Sequence, residues 1–554
     1  MDLDDYTPIN FIENIIVDDL KSGRIKDVVM RFPPEPNGRL HIGHAKAACF
    51  NFMTAKKFGG KCNLRFDDTN PVKEDADFCD QILNDIRWLG FEPDGIYYAS
   101  DYFEYMRDCA VLLINKGLAY VDESTPDEIK NMRGTLTEPG VNSPYRDRPK
   151  AESLALFAEM ESGKVPDGGM VLRAKIDMAS PNMNMRDPVI YRVLHAPHHR
   201  TGNKWCIYPM YDFAHPLEDA VEHITHSCCT MEFEDHRPLY DWVVDNCDIA
   251  FKPHQYEFAR LALTDTVMSK RYLRQLVESG AVDGWDDPRM TTLSGLRRRG
   301  VPAHAIVAFC NEVGLAKAVG TVDAAQFYDC VRDELNATAK RYMVVPDPVE
   351  VEIVNVPDDF ETTVEITEGG EYTVPHRTAV DPETRTTPVV TRKLRLGKRL
   401  YINREDFMAD PPKGYHRLVP NGLARLKNAF IVRCVGFDAD DSGKVTKIRV
   451  EKTDEVKAKG VIQWVDTESA VDIKIKCYSA IVPDGDGDLM ARVDKNSCAV
   501  STAKAEKAVA ELPIGEGVQF FRIGYFARDA KDTSAFNRVV ELKSSYKNQC
   551  RIQN

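Results

Sequence analysis

The 554-residue sequence contains no run of about 18 uncharged apolar residues, so it offers no helix that would span a membrane. Its first ten residues, MDLDDYTPIN, are acidic and lack the basic and then apolar pattern of a secretory signal. There are fourteen cysteines but no Cys-x-x-Cys pair, and neither an internal repeat nor a low-complexity tract occurs. We therefore expect a cytoplasmic protein with reduced thiols and no structural metal site.

Basic residues are also outnumbered. The 72 Lys and Arg residues face 86 Asp and Glu residues, and the net charge of −14 argues against a general affinity for nucleic acid. The charge is unevenly spread, since residues 350–390 carry ten acids and two bases, whereas residues 391–433 carry eleven bases and three acids. A polyanion responds to local potential, so the basic stretch either follows a phosphate backbone or is an ordinary solvated surface.

The N-terminal part of the chain has the pattern of a nucleotide-binding unit. We predict a first helix from Thr7 to Leu20 with Thr7 as its N-cap, and then a buried strand over 27–32. A helix from His41 to about Phe58 and a second strand over 61–66 follow. The connection is long enough for a right-handed crossover between parallel strands.

The predicted secondary structure changes twice in the rest of the chain. Residues 101–205 mix helices with Gly- and Pro-rich segments, which suggests an insertion, and a buried strand is predicted over 205–213. Helical patterns dominate residues 217–342. After Val344, short strands alternate with turns in a way that is typical of two small barrels or sandwiches.

The segment His41-Ile42-Gly43-His44 follows a predicted strand and opens a predicted helix. A helix N-terminus presents N–H groups and a positive dipole end to phosphate. The two histidines are three positions apart, so they lie on one helix face and can donate to the same group. Gly43 lets a nucleotide ring pack against the backbone. Histidines at a helix start are more often structural, but the strand–turn–helix context favours a phosphate site.

A second motif is Val267-Met268-Ser269-Lys270-Arg271, which alone is a weak signal. A flexible loop carrying Lys270 could close on the charge that develops on a departing pyrophosphate. The paired HIGH and MSK motifs resemble those of class I aminoacyl-tRNA synthetases. Longer stretches resemble the bacterial glutaminyl-tRNA synthetases, including FPPEPNGRLHIGHAKAA, NLRFDDTNPVKED, LRAKIDMASPNMNMRDPVIYR and TGNKWCIYPMYDFAH.

This resemblance runs from about residue 7 to about 342 with strong motifs and more weakly to about 545. It implies an α/β fold with a Rossmann-like parallel-sheet catalytic domain, an acceptor-binding insertion, a helical domain and two C-terminal β-barrel domains. The implied boundaries are 1–100 and 206–260 for the two halves of the catalytic domain, 101–205 for the acceptor-stem insertion, 261–342 for the helical domain with the MSK loop, and 343–554 for the proximal and distal anticodon-binding barrels.

The implied activity is that of a glutamine–tRNA ligase in protein synthesis. L-glutamine is activated by ATP to the adenylate, pyrophosphate leaves, and the aminoacyl group passes to the 2′-hydroxyl of the terminal adenosine of tRNA(Gln). The substrate carboxylate is itself the nucleophile, so catalysis is positioning and charge stabilisation, with Mg²⁺ on the ATP phosphates. The family also implies a monomer. A glutamate–tRNA ligase, which could also be non-discriminating, and a catalytically silent tRNA-binding relative are the alternatives.

The resemblance assigns three groups of residues. The catalytic residues are His41, His44 and Lys270. The ATP-binding residues are Glu35, Pro36, Asn37, His41, Ile42, Gly43, His44, Ala45, Lys46, Ala47, Thr230, Arg260, Leu261, Met268, Ser269 and Lys270. The glutamine-binding residues are Arg31, Asp67, Tyr211, Cys229 and Gln255.

Within the amino-acid site, Asp67 follows the second strand, where an anion can hold the substrate ammonium. The alternative for Asp67 is a helix N-cap, and for Tyr211, which would read the side-chain amide, a core aromatic. Glutamyl enzymes of this family place an arginine where Cys229 stands. A buried carboxylate without a cation costs several kcal/mol, so we expect an uncharged niche at Cys229 that favours an amide.

The tRNA contacts implied by the family are Leu136, Asp235, Lys317, Arg341, Arg417, Gln519 and Arg522. Leu136 matches an apolar wedge that helps to open the first base pair, and its alternative is an ordinary loop leucine. The last four would read single-stranded anticodon bases, or else be solvated surface side chains. Lys427 and His416 replace commoner family residues, so bidentate contact at Lys427 is in doubt.

Overall fold

The computed structural model describes residues 3–72, 76–318, 320–374 and 383–543. The chain forms two compact units, the first comprising Met1–Ala262 and Val313–Thr321, and the second Leu263–Glu312 and Val322–Asn554. Parts of the predicted barrel segment, 375–382 and 544–554, lie outside the described residues. Among the described helices, none has the length and apolar character needed to cross a bilayer.

The first unit contains eight α-helices and nine strands in its described part, in addition to short 3-10 turns. The helices are α1 (Phe11–Ser22), α2 (Ile42–Lys57), α3 (Ala76–Trp88), α4 (Phe103–Lys116), α5 (Pro126–Met132), α6 (Lys150–Glu161), α7 (Tyr211–Val221) and α8 (Arg237–Asn246). The strands are β1 (Val29–Phe32), β2 (Lys61–Phe66), β3 (Ile96–Tyr98), β4 (Ala119–Asp122), β5 (Val171–Ala174), β6 (Val189–Val193), β7 (Ile207–Pro209), β8 (Ser227–Thr230) and β9 (Gln255–Phe258).

A parallel sheet forms the base of the first unit. Strands β1, β2 and β3 pair in that order, with Val29 opposite Lys61 and Phe32 opposite Leu64. Strands β8 and β9 form a second parallel pair. The N–H of Thr225, just before β8, donates to the carbonyl of Val29 (2.9 Å), so this pair borders β1 on the side away from β2. The predicted strand–helix–strand unit with parallel strands is confirmed.

Helix α1 begins later than the sequence pattern predicts. Asn10 is its N-cap, and its side-chain oxygen accepts the N–H of Glu13 (3.0 Å), so the prediction of Thr7 as N-cap is wrong. The Glu13 carboxylate also accepts the N–H of Ile9 (3.0 Å), the residue before the N-cap, which fixes the entry to the helix. Gly23 ends the helix in the left-handed conformation, at φ 73°.

A second sheet follows within the same unit. Strands β4, β5, β6 and β7 are antiparallel in that order, and their core includes the buried rings of Phe157, Tyr191 and Tyr208. The strand predicted over 205–213 is shorter, because only Ile207–Pro209 pairs with β6. The N–H groups of Phe213 and Ala214 donate to the carbonyl of Met210, so the chain begins helix α7 there instead of continuing as a strand.

The second unit is rich in strands, as the valine- and threonine-rich pattern predicts. Its helices are α9 (Lys270–Glu278), α10 (Leu293–Arg299), α11 (Ala303–Val313) and α12 (Ala324–Thr338). Its strands, counting two that straddle the boundary between the units, are β10 (Ala262–Leu263), β11 (Thr321–Val322), β12 (Arg341–Tyr342), β13 (Val344–Val345), β14 (Pro348–Ile353), β15 (Glu361–Val374), β16 (Glu383–Gly397), β17 (Arg399–Asn403), β18 (Leu423–Leu426), β19 (Ile431–Ala439), β20 (Val445–Thr453), β21 (Gly460–Ile462), β22 (Val465–Asp466), β23 (Val471–Tyr478), β24 (Cys498–Ala505), β25 (Gly517–Phe520), β26 (Gly524–Arg528) and β27 (Ala535–Glu541).

Two seven-stranded sheets account for most of these strands. One has the order β21-β18-β19-β20-β14-β17-β22 around a core that includes the buried Trp464. The other has the order β12-β25-β26-β27-β23-β24-β13 around Phe520, Phe526 and Phe536. The prediction of two strand-rich C-terminal domains is confirmed, and both sheets mix parallel and antiparallel pairs.

The acidic and basic stretches meet in one antiparallel hairpin, β15–β16. Ion pairs across the hairpin offset part of their charge, and the role of the basic stretch toward phosphate stays a prediction. The ion pairs from the stretch 358–368 to its basic partners are Glu365–Lys393 (3.3 Å), Glu368–Arg392 (2.8 Å), Glu361–Arg395 (3.1 Å) and Asp358–Lys398 (2.6 Å). A sum of charges along the sequence cannot foresee which strands pair, and antiparallel pairing places these blocks side by side.

Candidate active site

The candidate site lies at the carboxyl ends of the parallel strands in the first unit. Arg31 lies in β1, Asp67 directly follows β2, and Thr230 ends β8. The chain leaves β1 for β2 on one side, and returns to β8 on the other side much later. Ligands of open α/β sheets bind at this edge, where successive connections lead away in opposite directions.

The two histidines of the HIGH motif close the first turn of α2. His41 Nδ1 accepts the N–H of Gly43 (3.1 Å), His44 Nδ1 accepts the N–H of His41 (3.1 Å), and the ring centroids are 3.8 Å apart. Because each Nδ1 accepts a hydrogen bond, a neutral ring carries its proton on Nε2 and donates from there. The helix cap thus builds the paired donors that the spacing predicts. Their role toward phosphate stays a prediction.

Some of the predicted ATP-binding residues have side chains buried in the core. The side chains of Ile42, Ala45 and Leu261 are buried, so only their backbone could meet a nucleotide. Lys46 is also buried, and its Nζ donates to the carbonyl of Ala259 (3.2 Å). This contact ties α2 to the segment after β9.

Other predicted ATP residues lie around the same region with different degrees of exposure. In the turn before α2, Asn37 Nδ2 donates to the Glu35 carboxylate. Thr230 ends β8 and is half-buried, and the exposed Arg260 pairs with Glu232 (2.5 Å). Three further predicted members lie in the turn and the first turns of α2: Pro36, Gly43 and Ala47.

The MSK motif lies in the second unit. Ser269 is the N-cap of α9, and Lys270 is the first residue of that helix, so the expectation that Lys270 lies in a flexible loop is wrong. The half-buried Met268 precedes them. Val267 is buried, and its carbonyl accepts a hydrogen bond from the hydroxyl of Thr291 (2.6 Å), which fastens the approach to the helix.

Asp67 is a buried carboxylate at the end of β2. Its N–H donates to the carbonyl of Pro34 (3.3 Å), and its Oδ1 accepts the Thr69 hydroxyl (3.4 Å). Burial, and next the negative charge of Glu35, raise the pKa of Asp67 to about 7. A group with this pKa ionises readily when a cation arrives, which suits an ammonium-binding site better than a helix cap.

Tyr211 begins α7 and lies against two aromatic rings. Its ring stacks on His215 at 5.2 Å between centroids and is tilted against Phe233 at 5.3 Å. The side-chain amide of Gln255 donates to the carbonyl of Phe233 (3.0 Å) and to Glu257 (3.0 Å). The structure therefore connects Tyr211 and Gln255 through Phe233. Burial, and next the charges of Cys229 and Asp67, raise the pKa of Tyr211 well above its usual value.

The niche at Cys229 is not free of positive charge, so that expectation is wrong. The fully buried guanidinium of Arg31 lies 3.5 Å from the Cys229 sulfur. Burial opposes ionisation of this thiol, but Arg31 and next His215 outweigh it and hold the pKa of Cys229 below its usual value. Arg31 itself pairs with Asp219 (3.2 Å), a carboxylate that it shares with Arg65 and His215.

A second buried arginine and a group of carboxylates lie close to Arg31. Arg65 in β2 contacts Glu218 (2.9 Å) and Asp219 (2.8 Å) on α7 and Glu222 (3.4 Å) at the C-cap of that helix. The two arginines therefore face three carboxylates. Burial, against the opposing charge of Arg65, raises the pKa of Glu218 well above its usual value, as in a cluster with more acids than cations. His215 is a further cation in this cluster, because the charge of Asp219 at 3.0 Å outweighs burial and raises the pKa of His215 to about 9.

A further buried cluster consists of Asp68, His198 and His199, and it is the one group with metal-ligand spacing in the described parts of the chain. Most of its hydrogen bonds are already formed, although His199 Nδ1 is buried without a hydrogen-bond partner among the described residues. Ser100 donates its N–H and hydroxyl to the Asp68 carboxylate (2.8 and 2.7 Å), and His199 donates to it (3.0 Å). His198 Nε2 donates to the Asp68 carbonyl (2.7 Å), while its Nδ1 accepts a backbone N–H (3.1 Å). The cluster fastens the loop that carries Asp67.

The predicted acceptor-stem residues lie on the surface of the first unit. Leu136 is 82% exposed at the tip of a loop. The backbone carbonyl of Asp235 accepts hydrogen bonds from the amides of Asn182 (2.7 Å) and Asn184 (3.2 Å). Lys317 is exposed, and its ammonium lies 5.0 Å from the centroid of the Phe11 ring.

The predicted anticodon residues form two pairs in the second unit. Arg341 and Gln519 are direct partners in the β12–β25 register, and the buried Gln519 donates to the Tyr525 hydroxyl (2.8 Å). Arg417 and Arg522 both donate to the Asp406 carboxylate, the latter at 2.9 Å. The four residues come from distant parts of the sequence, and no sequence pattern relates them.

Lys427 and His416, the two residues that differ from the commoner family residues, lie near Arg522 and Arg417. The ammonium of Lys427 lies 4.8 Å from the centroid of the Phe521 ring, and the Lys427 carbonyl accepts a hydrogen bond from Trp464 (3.0 Å). His416 is exposed next to Arg417. The cation of Lys427 thus has an aromatic partner in place of a bidentate one.

Four functional candidates are absent from the sequence prediction: Arg65, His215, Asp219 and Asp406. His215 and Asp219 are four positions apart, with His215 Nε2 at 3.0 Å from the carboxylate, which is helical spacing. The predicted helical region begins only at 217, so the sequence pattern does not assign His215 to the same helix as Asp219. Arg65 and Asp406 carried no signal, because their partners are remote in sequence.

The fold and site together define a nucleotide-binding catalytic domain of the parallel-sheet type with strand-rich domains after it. Residues 27–337 match the profile described as tRNA synthetases class I (E and Q), catalytic domain. Residues 339–453 and 461–529 match two anti-codon binding domains of the same description. The chain therefore belongs to the class I tRNA synthetases of the E and Q family.

Named relatives match over almost the whole chain. The glutamine–tRNA ligase of Clostridium kluyveri is 47% identical over 98% of this chain and 99% of its own length. That of Clostridium perfringens is 48% identical over 97% and 98%. A solved glutamate tRNA ligase from Elizabethkingia meningosepticum in complex with its amino acid covers 56% of this chain and 70% of its own, at 20% identity and a TM-score of 0.42. That likeness is too remote to inform function.

The raised pKa of Asp67 predicts a pH-dependent KM for the amino-acid substrate. An ammonium group binds the ionised carboxylate, and below about pH 7 the carboxyl is protonated before binding. The KM should therefore rise as the pH falls from about 7.5 to 6, approaching about tenfold per pH unit. It can be measured by aminoacylation at saturating ATP and tRNA.

The matched control is Asp67→Asn, which should raise the KM at every pH and remove its pH dependence. The KM for ATP should not follow the same curve. A wild-type KM for the amino acid that stays constant over this range would exclude Asp67 as the ammonium partner.

Proposed function

We propose that the chain is a glutamine–tRNA ligase that activates L-glutamine with ATP and transfers it to tRNA(Gln). The full-length similarity to enzymes of that name supports this proposal. The single observation that carries the choice of glutamine is the small thiol of Cys229, which stands where glutamyl enzymes of this family place an arginine. Arg31 and His215 also reach this niche, but both contact Asp219, and the thiol brings no guanidinium toward a substrate carboxylate.

In the first step, a carboxylate oxygen of glutamine attacks the α-phosphorus of ATP, and the bond to the β-phosphate oxygen breaks to release pyrophosphate. The backbone N–H groups at the start of α2 and the Nε2 protons of His41 and His44 are placed to donate to phosphate oxygens. Asp67 holds the substrate ammonium. Lys270 is assigned to the leaving pyrophosphate by family resemblance alone.

In the second step, the 2′-hydroxyl of the terminal adenosine of tRNA attacks the carbonyl carbon of the adenylate, and AMP leaves. Leu136, on an exposed turn of the first unit, opens the first base pair so that the end of the strand can enter the site. Arg341, Arg417 and Arg522 contact the anticodon, where their planar guanidinium groups can stack on bases or bind their edges.

Three finer properties belong to the same proposal. Mg²⁺ enters with ATP as part of the substrate and neutralises phosphate charge. The protein acts in the cytoplasm, where tRNA is charged for translation. It acts as a monomer, as in the family it resembles.

The experiment that tests the proposal is ATP–pyrophosphate exchange with glutamine and with glutamate, each with and without tRNA. We expect exchange with glutamine in the presence of tRNA(Gln) and formation of glutaminyl-tRNA. Exchange with glutamate at equal efficiency would indicate a non-discriminating enzyme. No exchange with either amino acid would indicate a silent tRNA-binding relative.

Replacing the neutral thiol with a cation should shift substrate choice. We expect Cys229→Arg to lower kcat/KM for glutamine and raise it for glutamate, because the added guanidinium has no carboxylate reserved for it. The ratio of the two values should change by about tenfold or more, which corresponds to about 1.4 kcal/mol. Exchange is measured with tRNA present. Cys229→Ala is the control and should leave glutamate use low, whereas an unchanged ratio in Cys229→Arg would contradict the role of this position.

Removing an anticodon contact should affect tRNA and spare ATP. Arg341→Ala is expected to raise the KM for tRNA about tenfold or more, with little change in the KM for ATP. Lys393→Ala is a matched control, since Lys393 is an exposed cation of the basic stretch with a side chain 70% exposed. Equal changes in the two KM values of Arg341→Ala, or the same tRNA effect from Lys393→Ala, would contradict an anticodon role.

A further inference from the structure

Arg186 is a buried arginine whose partners are backbone carbonyls. It is 2% exposed, and among the described residues no carboxylate lies within ion-pair distance of it. Its Nε donates to the carbonyl of Ser180 (2.7 Å), and its Nη1 donates to the carbonyls of Arg133 (2.6 Å), Thr135 (2.8 Å) and Glu138 (2.9 Å). A buried cation is expensive unless its hydrogen bonds are made, so these carbonyls must stay where they are.

Three of these four carbonyls belong to the loop that presents Leu136. The loop also closes on itself, because the Thr135 hydroxyl accepts the N–H groups of Thr137 (3.3 Å) and Glu138 (3.1 Å). The N–H of Thr135 donates to the Glu138 carbonyl (3.1 Å). Leu136 therefore sits on a turn with a fixed base, although its own side chain is 82% exposed.

The Leu136 loop and the segment that contains Arg186 each donate hydrogen bonds to the other. Arg133 in the loop donates to the carbonyl of Met183 (3.1 Å), while Arg186, three residues after Met183, donates back to the loop. The same segment holds Asp235, the other acceptor-stem candidate, through the amides of Asn182 and Asn184. One short segment thus fixes both predicted contacts to the acceptor end.

We propose that Arg186 is a positioning residue for tRNA, because its buried guanidinium fixes the turn from which Leu136 opens the first base pair of the acceptor stem. This inference rests on the proposed role of Leu136. Separating a base pair costs free energy, and a wedge on a loose turn would give way before the pair opens. A rigid turn transmits the binding energy of the tRNA to the pair.

The test compares transcripts of tRNA(Gln) whose first base pair is G–C, A–U or two bases that cannot pair. We measure kcat/KM for aminoacylation with Arg186→Met, which keeps the length and removes the donors. We expect a loss of about tenfold or more on the G–C transcript and of less than about threefold on the unpaired one. Leu136→Ala should show the same dependence. The double variant should have the same kcat/KM as Leu136→Ala, since both changes remove the same opening of the first base pair.

Two milder variants keep the proposal testable if Arg186→Met does not fold. Arg186→Lys keeps the cation with fewer donors, and Thr135→Val loosens the exposed turn without touching Arg186. Both should show a smaller loss with the same dependence on the first pair. Arg148→Met is the matched control, because Arg148 is a largely buried arginine of the same region that donates to the Val121 carbonyl (3.0 Å). It should affect all three transcripts equally.

The outcomes separate the two claims. If Leu136→Ala shows no dependence on the first pair, the proposed wedge is wrong and this inference falls with it. If Leu136→Ala shows the dependence but the Arg186 and Thr135 variants lose activity equally on all transcripts, Leu136 keeps its role and Arg186 is merely structural.

Discussion

The charge cluster beneath the carboxyl ends of β1 and β2 is the constraint on which the site depends. Two guanidinium groups from neighbouring strands, Arg31 and Arg65, meet carboxylates on α7, and Asp219 contacts both. Removing one member of a buried ion pair is costly, so the strands and the helix must keep their relative positions. Since α7 begins at Tyr211, the cluster that stabilises the unit also sets the geometry of the amino-acid pocket.

Local parts of this arrangement could be predicted from the sequence and remote parts could not. The turn at His41 and His44 depends on residues three positions apart, which a single helix turn brings together. The partners of Arg31 lie almost 190 residues away in the chain, at Asp219, and no pattern in either segment points to the other. The apolar run from Trp205 to Phe213 predicts one strand, but its strand ends at Pro209 and α7 begins at Tyr211, a boundary that periodicity alone does not mark.

The same limit applies to the charged stretches. Counting charges along the chain treats neighbours in sequence as neighbours in space, which holds for a helix and fails for a hairpin. The register of β15 and β16 sets Glu365 opposite Lys393, so part of each block is paired within one hairpin, whereas the bases from Arg399 to Arg433 lie outside it. Two of this unit's arginines, Arg417 and Arg522, share the Asp406 carboxylate.

Buried arginines recur in this protein as orienting groups, and this bears on how an amide could be preferred beside one. Arg31 donates to the Asp219 carboxylate, to the Cys228 carbonyl and to the Ser227 hydroxyl, and its Nη2 lies 2.6 Å from His215 Nε2. Three of its five N–H groups are therefore already used. Asp219 is shared among Arg31, Arg65 and His215, so it competes with a substrate carboxylate for these cations. An amide needs only a donor or an acceptor, and the guanidinium beside the niche can orient it without requiring an anion.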